Sequence, residues 1–204
     1  MTGERKTLEP WTVLHSRDVY THEPWLKIRV EALELPDGRR VEFHQVDAPA
    51  FVIIVPETAD GRFVVLRQYK HGARRVNVNF PAGTLDAGET PLACARRELL
   101  EETGCEAEAW TDLGAYATMG NLRGNLCHLF LARGCRTVAE PDSGDLEEMR
   151  VETMTRGELL AAVAAGDFAI ASQVAALGAA LNPDLADALA RGAGASAGGG
   201  REGA

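Results

Sequence analysis

Residues 83–105, GTLDAGETPLACARRELLEETGC, place four glutamates, Glu89, Glu98, Glu101 and Glu102, on one short segment. The run after Pro91 predicts a helix in which Glu98 lies one turn below Glu101 and Glu102. With Leu92 at zero and about 100° per residue, Leu99 and Thr103 fall at roughly 340° and 20°, whereas Glu101, Glu98 and Glu102 fall at roughly 180°, 240° and 280°. One flank is apolar and the other acidic. Like charges at this spacing destabilise a helix by roughly 0.2–0.5 kcal/mol per pair. Arg97 can brace Glu101 at i,i+4, which leaves Glu98 and Glu102 available to a cation. Oxygen donors on a rigid element suit Mg²⁺ or Mn²⁺, hard ions that keep several waters and commonly hold phosphates. The competing reading of so acidic a helix is a plain solvated face.

Local signals frame the helix and the loop that approaches it. Thr90 is a good N-cap, Pro91 suits the first helical position, and Gly104 supplies a left-handed close. FPAG and DAG make a Gly-rich approach loop, in which Gly83 permits close passage of the backbone and the Ala82 carbonyl can turn inward as a metal ligand.

The full pattern is Gly83, five residues, Glu89, seven residues, Arg97-Glu98, Leu99, one residue, Glu101-Glu102, one residue and Gly104. It resembles the Nudix box, the signature of Nudix hydrolases, at every fixed position. Cys105 stands where that family has an aliphatic residue, and a buried thiol packs like a small hydrophobe. The resemblance implies a metal-dependent hydrolase that splits a diphosphate joined to another group, usually in a nucleoside diphosphate derivative. It implies that Glu98 and Glu102, with the Ala82 carbonyl, hold Mg²⁺ or Mn²⁺, and that Glu101 ligates a metal or orients its waters. Arg97 and Glu89 then fix loop and helix geometry.

The chain has 204 residues, 46% hydrophobic and 25% charged, with a net charge of −9. That balance excludes polymeric nucleic acid and anionic membrane as partners, because both call for basic surface. No apolar run is long enough to span a bilayer and the N-terminus lacks a signal-peptide core, so a cytoplasmic protein is expected. Four cysteines without metal-ligand spacing read as reduced thiols.

Segments 11–22, 25–35 and 39–46 read as antiparallel strands, followed by a hairpin of two apolar strands, 51–55 and 62–69. VNVNF at 76–80 feeds the acidic segment, and strands at 110–118, 126–132 and 148–154 follow it. Thr155 and Glu158 form a capping box for a helix to about residue 165, and a second helix from Ala169 to Leu181 is expected to stop at Asn182-Pro183. The expected divisions are 1–46 as N-terminal antiparallel strands, 47–191 as the hydrolase domain, and 192–204 as a disordered tail. The fold class is α/β: an α/β/α sandwich around a mixed sheet, as the Nudix resemblance implies, with an extra N-terminal antiparallel sheet.

The N-terminal strands, the segment LRQYKHGARR and the C-terminal helices resemble the ADP-ribose pyrophosphatase and nucleotide-sugar branch. In that branch the N-terminal sheet is exchanged within a homodimer and nearby aromatics stack on the base. Trp11 and Trp25 are the candidates here, with packing in the small sheet the alternative. Lys70 aligns with a basic residue that contacts substrate. Strand alternation puts Arg67 on the opposite face from Lys70, so only one of the two faces the site. A general base is expected in the acidic loop 139–148, with Glu147 first by resemblance and Asp145 and Glu148 behind it. Thr118-Met119-Gly120 stands where the branch has Ser-Pro-Gly, and Asn125 where it has Glu. The branch resemblance makes ADP-ribose the expected substrate, and these two departures count against it and keep GDP-mannose, other nucleotide sugars and dinucleoside polyphosphates as alternatives. A nucleotide-sensing module without activity would be marked by lost box acids, and none is lost.

Overall fold

The structure, a computed structural model, describes residues 8–144 and 148–197, with backbone only for 193–197. In chain order the elements are β1 (Thr12–His22), β2 (Leu26–Glu34), β3 (Arg40–Asp47), β4 (Phe51–Thr58), β5 (Phe63–Lys70), β6 (Arg75–Asn79) and β7 (Ala82–Thr84). Then come α1 (Pro91–Thr103), β8 (Cys105–Glu106), β9 (Ala109–Met119), β10 (Arg123–Thr137), β11 (Met149–Met154), α2 (Arg156–Ala164), α3 (Ala171–Leu181) and α4 (Pro183–Ala197). The described residues form two compact units, one drawn from within 1–49 and 117–125 and one from within 50–116 and 126–204.

In the first unit, β1, β2 and β3 form an antiparallel meander, and the start of β10 joins β3 in parallel at Val46↔Arg123. Every residue of β1 is exposed. Trp11 meets Phe43 edge-on, with ring centroids 5.3 Å apart.

The second unit is a sandwich. Its sheet is mixed: β10 pairs β4 in parallel, while β4–β5, β5–β11, β5–β6 and β4–β7 are antiparallel. Successive β4 residues are buried on opposite faces, as the strand period of two requires. Ile53 and Val55 pack with Phe80, Leu159 and Leu177 on the side of α2 and α3. Val52 and Ile54 pack with Ala95, Leu99 and Phe130 on the side of α1. The apolar flank of α1 read from the sequence is thus its sheet-facing side.

Both helix-cap readings hold. Thr90 Oγ1 accepts from Ala93 N and Gly104 closes α1 at φ 67°, while Thr155 and Glu158 form the capping box of α2. The reading of Asn182-Pro183 as a terminus was incomplete. The Asn182 side chain accepts from Leu185 N at 3.1 Å and Pro183 occupies the first turn of α4, so the pair ends one helix and opens another. Helix α4 runs to Ala197, into the stretch expected to be disordered, because its alanines favour helix; residues 198–204 lie outside the described residues. Among the described residues, no helix is long and apolar enough to cross a membrane. All four cysteines are free and buried.

Candidate active site

The acids of α1 meet the approach loop because that loop is itself a strand. Leu85 N–H donates to Ala50 O and Pro81 O accepts from Ile54 N–H, both at 2.9 Å, so these odd-numbered residues of the β7 segment turn their peptide groups to β4. Antiparallel alternation then turns the peptide groups of Ala82 and Thr84 away from β4. The Ala82 N–H donates to Glu102 Oε2 at 2.8 Å, and Thr84 O accepts from Arg97 Nη2 at 3.2 Å. An antiparallel residue presents its N–H and C=O on the same side, so the Ala82 carbonyl also faces α1. Glu102 is only 3% exposed. The Glu98 carboxyl sits over Gly83, where a β-carbon would come within 1.9 Å of it.

Arg97 binds more of this cluster than the i,i+4 brace expected from sequence. It holds Glu89 in a fork, Nε to Oε1 at 3.0 Å and Nη2 to Oε2 at 2.9 Å. Its Nη1 also reaches Glu98 at 2.6 Å and Glu101 at 3.0 Å. The expectation that Arg97 would leave Glu98 alone is thereby corrected; the guanidinium lies where three carboxylates converge, and a fork of donors satisfies several at once. Hydrogen bonding to Arg97 pulls the Glu89 carboxyl down to about 2, and bonding to Glu89 in turn holds Arg97 more firmly protonated. Beneath them, burial first, then the charges of Glu89 and Glu98, push the Cys94 thiol up to about 12.

Among the described residues, no three His, Cys, Asp or Glu side chains are already gathered as a metal cluster. The donors nonetheless fit a hard divalent ion. Carboxylates on one rigid helix and a peptide carbonyl aimed at them are an all-oxygen set, and Gly83 leaves room for Glu98.

Strand parity separates the two basic candidates. Val64, on β5, packs in the layer of α1, and Lys70 shares its parity. Arg67 lies on the opposite face, bonded through Nε and Nη2 to Glu152 at 2.9 and 3.1 Å. Arg67, the other expected substrate ligand, is thus engaged in an ion pair on the face away from α1. Trp11 and Trp25 belong to the first unit, 46% and 62% exposed. Glu147 and Asp145 lie outside the described residues, while Glu148 is exposed. The preceding loop is tied to α1: Val138 N donates to Gly104 O and Asp142 N to Glu101 O, both at 2.8 Å.

Sequence reading missed two polar features. Gln68, Asn77 and Asn79 are buried on the α1 face, and one side-chain oxygen of each lacks a hydrogen-bond partner. Such acceptors cost of order 1–3 kcal/mol each, and the alternation of VNVNF was the only signal for the two asparagines. Gln173 of α3 bonds to the backbone of Phe80, for which no sequence signal exists at a separation of 93 residues. An open depression of about 840 Å³ near the start of α1, lined by Trp110, Tyr116 and His128, contains none of the four acids.

Comparison with known proteins agrees with this geometry. The NUDIX domain model matches residues 47–173, and the nucleoside diphosphate sugar hydrolase N-terminal domain matches residues 11–46. The chain is 33% identical over 131 residues to the methanol dehydrogenase activator of Bacillus methanolicus, covering 64% of this chain and 67% of that protein. It is 33% identical over 129 residues to the ADP-ribose pyrophosphatase of Bacillus subtilis (strain 168), covering 63% and 69%. A crystal structure of an ADP compounds hydrolase shares the fold, with a TM-score of 0.74 at 23% identity over 93% of this chain and 99% of that one. With a family match over more than half its length, and with Glu98 and Glu102 of the box set against β7, the chain belongs to the Nudix family, as a Nudix pyrophosphohydrolase.

Proposed function

We propose that this protein hydrolyses the diphosphate linkage of a nucleoside diphosphate derivative, ADP-ribose first among them, to AMP and ribose 5-phosphate. Water adds to one phosphorus, forming a P–O bond, while the anhydride P–O bond breaks and the bridging oxygen leaves with the other phosphate. The observation that carries this reading is the Ala82 peptide turned to buried Glu102, with Glu98 above Gly83. The similarity to a pyrophosphatase acting on ADP-ribose supports the substrate.

Nudix hydrolases generally use divalent metal ions. Glu98, Glu102, Glu101 and the Ala82 carbonyl are the residues that would hold Mg²⁺, or Mn²⁺, in this chain. When bound, such an ion neutralises phosphate charge and lowers the pKa of a water. The protein's own part is positional. Arg97 and Glu89 lock the helix to its approach strand, Ala82 N–H fixes the Glu102 carboxylate, and Lys70 offers a positive charge to the diphosphate. Glu147 is proposed as the base that takes the proton of the attacking water, with Asp145 and Glu148 as its alternates.

The strands of residues 1–46 are proposed as the dimer element of a cytoplasmic homodimer, exchanged between subunits, with Trp11 and Trp25 stacking on the base. Residues 47–191 then form the hydrolase domain. The test is purified protein with Mg²⁺ against ADP-ribose, GDP-mannose, other nucleotide sugars and dinucleoside polyphosphates, with products separated by chromatography. AMP and ribose 5-phosphate from ADP-ribose is the expected result. Preference for another member of the panel moves the substrate, and no hydrolysis of any overturns the reading.

A further inference from the structure

We propose that Gln173 is a positioning residue: its buried carboxamide replaces the missing strand partner of Phe80 and thereby holds Ala82 toward Glu102. The inference rests on the metal-facing roles given above to Ala82 and Glu102.

The segment between β6 and β7 changes partners. The β6 ladder on β5 ends at Leu66↔Asn79, and the β7 ladder on β4 begins at Ile53↔Ala82. Pro81 has no N–H, and its carbonyl is taken by Ile54. Phe80, 0% exposed, brings a donor and an acceptor into the core with no ladder to receive them. Gln173 meets both: its Oε1 accepts from Phe80 N–H at 2.8 Å and its Nε2 donates to Phe80 O at 3.3 Å. A primary carboxamide offers one donor and one acceptor side by side, as a peptide unit does.

The same edge is covered upstream. Val78 N–H donates to Asp167 O at 3.0 Å, and Arg75 bonds to Gly166 O. Residues 166–173 thus run along the side of β6 that faces away from β5, and Gln173 makes the final contact before the switch. The other buried residues of α3, Ala176, Leu177 and Ala179, are apolar. Leucine or methionine would pack at position 173; only a carboxamide satisfies both groups of Phe80. Two residues later Ala82 N–H holds Glu102, so slack at Phe80 is transmitted to the site.

The test compares Gln173→Leu with Leu177→Ala, a control that removes volume from the same core cluster but leaves both hydrogen bonds of Phe80 in place. Three quantities are read: Mn²⁺ binding by the protein alone, kcat and KM for hydrolysis, and hydrogen exchange at the Ala82 amide. Gln173→Leu is expected to weaken Mn²⁺ binding and lower kcat by about tenfold or more with KM within about threefold, and to speed Ala82 exchange about tenfold. Leu177→Ala is expected to lose thermal stability and keep the other values. Should Gln173→Leu not fold, Gln173→Met, which fills a similar volume and supplies neither strong donor nor strong acceptor, must show the same split. Unchanged Ala82 exchange, or equal losses in Leu177→Ala, overturns the proposal. Failure of the wild-type protein to bind Mn²⁺ overturns the metal reading instead, and Ala82 exchange then decides Gln173 alone.

Discussion

Glu98 fills the space directly above Gly83: a β-carbon there would stand 1.9 Å from both Cδ and Oε1 of the glutamate. The glycine is needed for that close approach, since no positive φ marks the position. Arg97 Nη1 holds the displaced group at 2.6 Å, so the carboxylate cannot swing aside without breaking an ion pair.

Gly83→Ala is therefore expected to cost about a hundredfold in kcat, the scale of a misplacement near 1 Å, while the thermal midpoint falls by only a few degrees. Steady-state kinetics beside thermal unfolding checks this. Full turnover in the variant would mean that the position of Glu98 is immaterial.

The Glu89–Arg97 fork gives a pH dependence of definite sign. The carboxyl is lowered from 4.5 to about 2 in the folded protein, so its stabilisation is complete above 4.5 and is lost as pH falls toward about 2. Wild type should exceed Glu89→Gln in urea resistance by a constant margin near neutrality. That margin should shrink only below 4.5, and a margin that vanishes near pH 6 would show that the fork is not its source.

Lys70 and Arg67 should separate cleanly. Lys70→Gln is expected to lower kcat/KM by about tenfold or more with little change in stability, as loss of a charge-assisted phosphate contact does. Arg67→Gln is expected to cost about 1 kcal/mol of stability through Glu152 and leave kinetics near wild type. The reverse outcome would place the substrate on the face of α2 and α3.

For the base, Glu147→Gln should depress turnover far more than Mn²⁺ binding. An unaffected rate moves the role to Asp145 or Glu148, each tested by the same substitution.

The helix, its caps and the acidic flank were legible because they are local: Thr90, Pro91 and Gly104 act within one turn of their targets. The sandwich was expected from the Nudix resemblance, and the unbroken apolar run of β4 fits it, being covered on both faces. What the sequence hid is non-local or very short. Strand β7 has three residues and owes its existence to pairing with β4, not to propensity. Arg67 and Lys70 were assigned to opposite faces by alternation, yet only the packing of Val64 says which face is which. The partnership of Gln173 with Phe80 depends on chain contacts that no local pattern encodes.

The most direct measurement is the hydrolysis of ADP-ribose in Mg²⁺ by Glu102→Gln, with circular dichroism confirming the fold. Glutamine keeps the acceptor for the Ala82 N–H and removes the charge, so the expected result is a folded protein slowed by orders of magnitude. Turnover near that of the wild type would contradict the role of these glutamates in holding a metal against the diphosphate.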